Sequence, residues 1–312
     1  MLPTLFYTDH HRLPLPPGHR FPIEKYHLLR EILENDGCFR LQPAPLADVQ
    51  TIQLAHDSAY VNAFLHGSLG DSAMRRIGFP WSEGLVTRTL ASVGATLAAT
   101  RQALVTGWGG TLAGGTHHAF AAEGAGFCVF NDVAIAARWL MRPENGNGRH
   151  PTRIAVIDLD VHQGDGTAEI LRNDSSVLTI SMHCKANFPL RKQKSAIDIE
   201  LDVGVGDAEY LRALESLLPR LAEFRPEFVF YQSGVDALAS DRLGRLQLSR
   251  EGLMARDRMV MRQVRDLGAP LVITLGGGYS DPIFLTAEAH ANTFRVAAEV
   301  FAENQKEGKP RE

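Results

Sequence analysis

Two side chains placed two positions apart, Asp160 and His162, have the types and the spacing needed to share one metal ion. In an extended segment, residues i and i+2 point to the same side of the chain. Asp236, which follows another apolar run, is a candidate third ligand. Two carboxylates and one imidazole without a thiolate suit Zn²⁺ with an open coordination position, and Fe²⁺, Co²⁺ or Mn²⁺ can occupy the same set. These residues therefore predict a single-metal site.

The density of acidic and imidazole side chains around this triplet decides how it is interpreted. An isolated Asp-x-His triplet is more often a pair of polar loop residues that caps a helix or binds the backbone. Here Asp158 and Asp165 flank the triplet, and two adjacent histidines follow another predicted strand. Buried carboxylates at this density need cations close by. We therefore favour the metal site.

The adjacent histidines His117 and His118 offer two imidazoles at nearly the same place, so one ring can take a proton while the other stays cationic. Hydrolysis of an amide needs a base that removes a proton from water and an acid that gives one to the leaving amine. Asp158 and Asp165 are candidates to hold the two rings, because they flank the metal ligands without being needed as ligands. The pair predicts acid–base chemistry beside the metal.

Tyr279 follows Gly276, Gly277 and Gly278, and these glycines let the backbone bend close to its neighbours. The tyrosine hydroxyl could donate a hydrogen bond to a carbonyl oxygen that becomes negative opposite the metal. A packing tyrosine at the end of a glycine-rich strand is an equally simple explanation. The motif therefore indicates an oxyanion donor only in combination with the reactive residues of the other loops.

The elements that must position these residues are strands that alternate with helices. Short β-branched or aromatic runs bounded by Gly, Pro, Asn or Asp indicate a parallel sheet covered on both faces. Strands are predicted at residues 5–8, 111–114, 153–158, 177–183, 196–201, 228–232 and 271–275. Helices are predicted at residues 23–33, 85–106, 132–141, 208–224, 250–267 and 282–301, with Ser249 as a candidate N-cap. Because ligand sites of open α/β sheets lie beyond the carboxyl ends of the strands, the reactive loops should converge at that edge.

Length and composition fit one α/β domain over residues 1–312, with a surface turn at residues 142–152 and a polar tail at residues 303–312. A net charge of -4 offers no basic surplus for nucleic acid or anionic lipid, so neither is expected as a partner. Three cysteines without a C-x-x-C pair indicate a reducing compartment, and the N-terminus shows neither a signal-peptide pattern nor a membrane span. We expect a cytoplasmic protein, while its oligomeric state is left open.

Five segments resemble, in order and spacing, those of the histone deacetylases and their bacterial deacetylase-like relatives: GGTHHAF, GAGFCVFNDVAIA, RIAVIDLDVHQGDGTAEI, FYQSGVDAL and ITLGGGY. The resemblance covers nearly the whole chain, and SGVDALASDRLGRLQLS is similar to the class IV branch. It implies the arginase/deacetylase fold, a single-domain, open, mostly parallel sheet between helices with the active site at the carboxyl ends of the strands. It also implies a zinc-dependent amidohydrolase that uses a metal-activated water to remove the acyl group from N6-acyl-lysine in a protein or peptide, or from a small acylated amine.

The resemblance assigns Asp160, His162 and Asp236 as the zinc ligands. It implies a narrow substrate tunnel lined by Gly126, Phe127, Phe188 and Gly277. It further implies a structural potassium ion at Asp158, Asp160, His162, Ser181 and Met182, and a second one at Leu171, Asp174 and Val177.

The catalytic roles follow from the same resemblance. His118 corresponds to the principal base and His117 to its electrostatic partner. Asp158 is assigned to support His117, and Asp165 to support His118. Tyr279 corresponds to the residue that polarises the substrate carbonyl.

Two segments depart from the class I pattern at the expected rim. IGFPWSEG places Pro80 where class I members have an acidic residue, and PLRKQKSA after Phe188 is basic and lacks their glycine-rich loop. The substrate is therefore left open between acyl-lysine, acetylpolyamines or other small amides, and long-chain acyl-lysine. A catalytically silent acyl-binding module is the alternative outside the enzymes. A two-manganese ureohydrolase of the arginase kind would need aspartates where Gly164 and Leu238 stand.

Overall fold

The computed structural model describes residues 2–145 and 150–307, and in this part of the chain eight strands form one sheet. Every pairing in the sheet is parallel, and the strand order is β2-β1-β3-β8-β7-β4-β5-β6. The fold class inferred from the alternating pattern is thereby confirmed. The strands are β1 Thr4–Tyr7, β2 Arg40–Pro43, β3 Trp108–Thr111, β4 Ile154–Asp158, β5 Val177–Cys184, β6 Ile197–Leu201, β7 Phe228–Gln232 and β8 Leu271–Thr274.

Helices cover both faces of this sheet. Alternate side chains of the central strands enter two different hydrophobic cores, since successive residues of a strand point to opposite faces. Ile157 and Tyr231 lie in one core with side chains of α8, α9 and α10, whereas Val156 and Phe230 lie in the other with α3, α5 and α6. The helices are α1 Glu24–Asp36, α2 Val49–Ile52, α3 Ser58–Leu65, α4 Asp71–Ile77, α5 Glu83–Thr106, α6 Asp132–Leu140, α7 Asp165–Leu171, α8 Asp207–Phe224, α9 Arg250–Asp266 and α10 Phe284–Glu307.

Several helix starts are fixed by side chains that accept from the free backbone N–H groups of the first turn. Ser249 accepts from Gly252 at the start of α9, as predicted. Asn131 accepts from the Ala134 N–H at the start of α6. These caps set where the loops end and the rigid elements begin.

The structure corrects the predicted position of the third strand and adds one that the pattern missed. The strand expected at residues 111–114 is Trp108–Thr111, because Gly109 and Gly110 are strand residues rather than a turn. A Cβ on Gly109 would overlap the carbonyl oxygen of Ala99, so glycine is needed for α5 to pack closely on the sheet. The missed strand, Arg40–Pro43, is an edge strand without a fully buried residue, and its sequence therefore lacks an apolar pattern.

The remaining differences concern short helices and the termini. The apolar periodicity of the sequence does not predict α2, α3, α4 or α7, none of which exceeds eight residues. The polar tail expected at residues 303–312 is wrong at its start, because α10 continues to Glu307. Residues 308–312 and residues 146–149 of the expected surface turn lie outside the described residues. No helix in the described ranges combines the length and the apolar composition that crossing a membrane requires.

Candidate metal and acid–base site

The predicted reactive residues lie beyond the carboxyl ends of four strands that are neighbours in the sheet, β3, β8, β7 and β4. His117 and His118 follow β3, and Tyr279 follows β8. Asp236 follows β7, and Asp160 comes just after β4. Because parallel strands end at the same edge, loops that are far apart in sequence meet at one place.

The three predicted metal ligands are close enough to hold one ion. The ligand atoms of Asp160, His162 and Asp236 all lie within 4.8 Å of one another. The Nδ1 atom of His162 is 3.0 Å from Asp160 Oδ1 and 3.1 Å from Asp236 Oδ2. Burial and the nearby carboxylate of Asp160 raise the pKa of Asp236. A cation bound between the two carboxylates would favour their charged forms. The donor set therefore fits a divalent cation.

Glycines leave room for these carboxylates. A Cβ on Gly277 would overlap Asp236 Oδ2, so only glycine fits at this position. The Gly277 N–H donates to Asp160 Oδ2 at 2.6 Å and thereby orients the carboxylate. A Cβ on Gly164 would likewise overlap Asp158 Oδ2 and lie 3.2 Å from His117 Nδ1. The backbone thus has no space for an aspartate at residue 164, which a second metal ion would require.

Each of the two adjacent histidines is held by its own aspartate. His117 Nδ1 lies 2.7 Å from Asp158 Oδ2, and His118 Nδ1 lies 2.7 Å from Asp165 Oδ1. The two ring centroids are 4.0 Å apart, and all four side chains are buried. The pairing of each ring with its aspartate is therefore the one predicted from the family resemblance.

The two imidazoles differ in charge despite their contact. Burial by itself lowers the pKa of His117, but the carboxylates of Asp158 and Asp160 outweigh it and raise that pKa to about 9. Burial and the adjacent charge of His117 lower the pKa of His118 to about 4, against the opposing effect of Asp165. The surroundings of the two rings therefore favour a cationic His117 and a neutral His118.

A cavity of about 200 Å³ lies over the ligands and is lined by all four residues predicted for the tunnel. Phe188 packs edge-on against the His118 ring with centroids 4.8 Å apart. Gly126 and Phe127 both have positive φ, 55° and 66°, which turns their loop against His118. Tyr279 lines the same cavity, and burial raises the pKa of its hydroxyl, so the phenol keeps its proton at neutral pH.

Lys25 is a cavity residue that the sequence analysis missed. Its side chain is 2% exposed, and Nζ donates to the carbonyl oxygens of Gly276 at 3.3 Å and Gly278 at 3.5 Å. The ammonium lies 5.5 Å from the centre of the Tyr279 ring. Its position in α1, four residues before buried Leu29, could have revealed it, because residues four apart share a helix face.

Three further acidic or amide side chains fix the loops and were also missed. Asp132 accepts from the backbone N–H groups of Gly115 and Thr116, which immediately precede the histidines. Asn131 Nδ2 donates to the carbonyl oxygen of Ala119, just after them. Asp241 Oδ2 accepts from the Tyr279 N–H at 2.6 Å. They hold the reactive residues without contacting the cavity themselves.

The residues predicted for potassium lie at two separate places. Asp158 and Ser181 are register partners on β4 and β5, next to the metal ligands. Leu171, Asp174 and Val177 form the turn between α7 and β5, where the carbonyl of Asp174 accepts from the Val177 N–H at 3.0 Å. Binding of potassium at either place stays a prediction.

Comparison with known proteins gives a consistent result. Residues 19–295 match the histone deacetylase domain. The chain is 42% identical over 304 residues to an uncharacterised protein of Picosynechococcus sp., covering 96% of this chain and 99% of that one. It is 30% identical over 290 residues to the histone deacetylase-like amidohydrolase of Pseudomonas aeruginosa, covering 86% of this chain and 74% of that protein.

The match to eukaryotic histone deacetylases covers a shorter part of this chain. Histone deacetylase 2 of Arabidopsis thaliana is 35% identical over 191 residues, 60% of this chain, and this chain spans about half, 48%, of that protein's length. Among solved structures, the HDA15 HD domain superposes with a TM-score of 0.76 over 97% of this chain and 88% of that domain. The sequence identity is 21%, so this last likeness concerns the fold.

Proposed function

The chain belongs to the histone deacetylase family, and from this premise we propose that it is a metal-dependent hydrolase of N6-acyl-lysine. The observation that carries the proposal is that the three clustered ligands and the two aspartate-paired histidines lie together beside one cavity with aromatic walls. Such walls suit the alkyl stem of a lysine side chain. Hydrolase activity follows from the family, and the lysine substrate is our proposal.

A divalent cation held by Asp160, His162 and Asp236 would lower the pKa of a coordinated water and polarise the amide carbonyl. We propose zinc, because a site with three protein ligands of nitrogen and oxygen type and one open position is typical of catalytic zinc. Fe²⁺ and Co²⁺ suit the same donor set. Potassium is proposed as a structural ion only.

The protein's own side chains then supply the proton transfers. His118 is neutral at pH 7, so its Nε2, the ring nitrogen not engaged by Asp165, accepts the proton of the attacking water and returns it to the leaving amine. His117 stays cationic through Asp158 and stabilises the negative charge that develops beside it. Tyr279 donates its hydroxyl proton in a hydrogen bond to the carbonyl oxygen as that oxygen becomes an oxyanion.

The proposal extends to the organisation of the chain. We propose that residues 1–312 act as a single catalytic domain, because the site draws residues from loops between His117 and Tyr279 and from α1 near the N-terminus. A location in the cytoplasm stays a prediction from the sequence.

The decisive experiment compares the substrates that the sequence left open. Zinc-loaded protein is incubated with acetyl-lysine peptides, longer acyl-lysine peptides and acetylpolyamines, with a chelator and a hydroxamate as controls. We expect acyl-lysine to be hydrolysed, the chelator to stop the reaction and added zinc to restore it. Turnover of acetylpolyamines alone would replace the proposed substrate. Absence of any turnover, with metal bound stoichiometrically by elemental analysis, would indicate a silent binding module.

A further inference from the structure

Two loops, residues 187–194 and 241–245, each contribute one side chain to the wall of the cavity, and we call these loops the collar. Phe188 and Leu243 line the cavity and are 44% and 42% exposed. Leu190, two residues beyond Phe188, is 94% exposed. The collar therefore carries exposed apolar side chains on the same two loops that contribute to the cavity wall.

The two collar loops are tied to each other. Asn187 is buried, its Nδ2 donates to the Leu243 carbonyl at 2.7 Å, and its Oδ1 accepts from the Arg245 N–H at 3.1 Å. Lys192 Nζ donates to the carbonyl oxygens of Asn187 at 2.7 Å and Pro189 at 2.5 Å, on either side of Phe188. The collar therefore presents its side chains from a fixed backbone.

The charges that the collar presents to solvent are all positive. Its exposed charged residues are Arg191, Lys194, Arg242 and Arg245. Its single acidic residue, Asp241, uses both carboxylate oxygens internally, because it accepts from the N–H groups of Leu243, Gly244 and Tyr279. The collar is thus cationic in a chain whose formal net charge is -4.

We infer that the collar selects acyl-lysines that have acidic residues beside them in the sequence. The inference rests on the proposed deacylase function and names the substrate class for the same site. An acyl-lysine stem seated in the cavity brings its neighbouring residues onto the collar, where carboxylates meet arginine and lysine side chains. Complementary charges of this kind raise association rates and disfavour cationic partners, and they weaken as salt screens them.

The test uses matched peptides that carry the same acyl-lysine between two aspartates, two asparagines or two lysines. We expect kcat/KM to decrease in that order by about tenfold in total at low salt, as several exposed ion pairs together predict. At about 1 M salt, where the Debye length is about 3 Å, the three peptides should converge.

Paired variants then locate the effect. Arg191→Gln combined with Arg242→Gln should reduce the preference for aspartate severalfold and leave turnover of the asparagine peptide nearly unchanged. Arg220→Gln combined with Arg262→Gln is the matched control, because it removes the same charge from exposed positions in the C-terminal halves of α8 and α9, away from the collar. The control should keep the full preference.

The outcomes separate this inference from the proposed function. Hydrolysis without a flank preference, or a preference that persists in the collar variant, would overturn the collar inference and leave the deacylase intact. If no peptide is hydrolysed, the proposed function fails. Fluorescence anisotropy of the same peptides with zinc-loaded protein then still shows whether binding prefers acidic flanks, and equal affinities would refute the inference as well.

Discussion

At the scale of single residues, two identical side chains in contact have pKa values that are shifted in opposite directions. His117 and His118 are both buried and both bonded to an aspartate at 2.7 Å. The difference arises because His117 also has Asp160 nearby, with 3.9 Å between Nε2 and Oδ1, whereas His118 faces the charge of His117. In the proposed mechanism, this difference lets His118 act as the base beside a cationic His117.

The first prediction concerns the oxyanion donor and the base. Tyr279→Phe should lower kcat by about 10²- to 10³-fold, the usual cost of removing one oxyanion donor, and His118→Ala should abolish measurable turnover. Steady-state kinetics with an acetyl-lysine peptide measures both. Tyr7→Phe, a partly buried tyrosine on β1 outside the site, is the matched control and should retain activity. Wild-type kcat in Tyr279→Phe would contradict the assigned role.

The second prediction concerns Lys25 as a positioning residue. Lys25→Met keeps the length of the side chain but removes the donor to the Gly276 and Gly278 carbonyls, so the segment leading to Tyr279 should lose its fixed position. Since hydrogen bonds to a charged group are worth about 1.5–3 kcal/mol, we expect kcat to fall by about tenfold or more.

If Lys25 positions Tyr279, the Lys25→Met variant should show little change in KM and should keep a stoichiometric amount of bound metal, and Lys25→Arg should recover most of kcat. A purely structural role would not give this combination of results. Lys185→Met, at a side chain that is 61% exposed, serves as the matched control. Equal kcat in Lys25→Met and the control would rule out positioning by Lys25.

At the scale of elements, the site depends on loops that side chains anchor at both ends. Asp132 at the start of α6 holds the backbone before the histidines, and Asn131 holds it after them. Gln163 anchors the collar loop at residues 187–194, because its side-chain amide donates to the Gln193 carbonyl and accepts from the Gln193 N–H, both at 2.8 Å. Rigid loops of this kind keep a cavity open without a ligand and lower the entropy cost of binding.

The third prediction tests the anchoring of the collar. Lys192→Met removes the ammonium that bridges the carbonyls on either side of Phe188, so this cavity wall should become mobile. We expect KM for an acetyl-lysine peptide to rise severalfold with kcat nearly unchanged, because in the proposed function Phe188 contacts the stem and takes no part in the proton transfers. Lys194→Met removes the same charge from an exposed position of the same loop and should leave KM for a neutral peptide unchanged. Equal KM values in the two variants would show that charge, not anchoring, is responsible.

At the scale of the whole molecule, the core encloses His56, an imidazole outside the cavity lining whose pKa departs from its ordinary value. His56 is 4% exposed, and its Nε2 accepts from the Asn131 N–H at 2.8 Å. Burial lowers the pKa of His56 to about 4, below the value of 6.5 for an exposed imidazole. Above pH 7 both the folded and the unfolded chain keep this ring neutral. Between pH 6.5 and 4 only the unfolded chain takes up the proton, so stability falls as the pH falls.

The fourth prediction quantifies this acid sensitivity. From the lowered pKa, His56 should account for a loss of about 3 kcal/mol in the free energy of unfolding between pH 7.5 and pH 4. The free energy of unfolding, measured with urea at each pH, should fall less steeply with falling pH for His56→Gln than for the parent protein. The variant should nevertheless have a lower free energy of unfolding at pH 7.5. His66→Gln, at an exposed histidine, should follow the parent curve. Parallel curves for the parent protein and His56→Gln would contradict the prediction.

The sequence alone determined the parallel sheet, six of the eight strands to within one or two residues at each end, and the residues brought together at the site. Side-chain type and apolar period are local properties, and the carboxyl edge of a parallel sheet gathers loops by geometry. The pattern therefore located Asp160, His162 and Asp236 before any distance was known. It failed where the signal was weak, as in the glycine-rich strand β3 and the exposed edge strand β2.

Only the tertiary structure decided the properties that depend on partners remote in the sequence. The charge of His117 depends on Asp158, 41 positions away, and the position of Lys25 on Gly276, 251 positions away. The cationic character of the collar depends on the internal use of the Asp241 carboxylate. Burial and pairing set the pKa and the orientation of a side chain, and neither is encoded in the residue type itself.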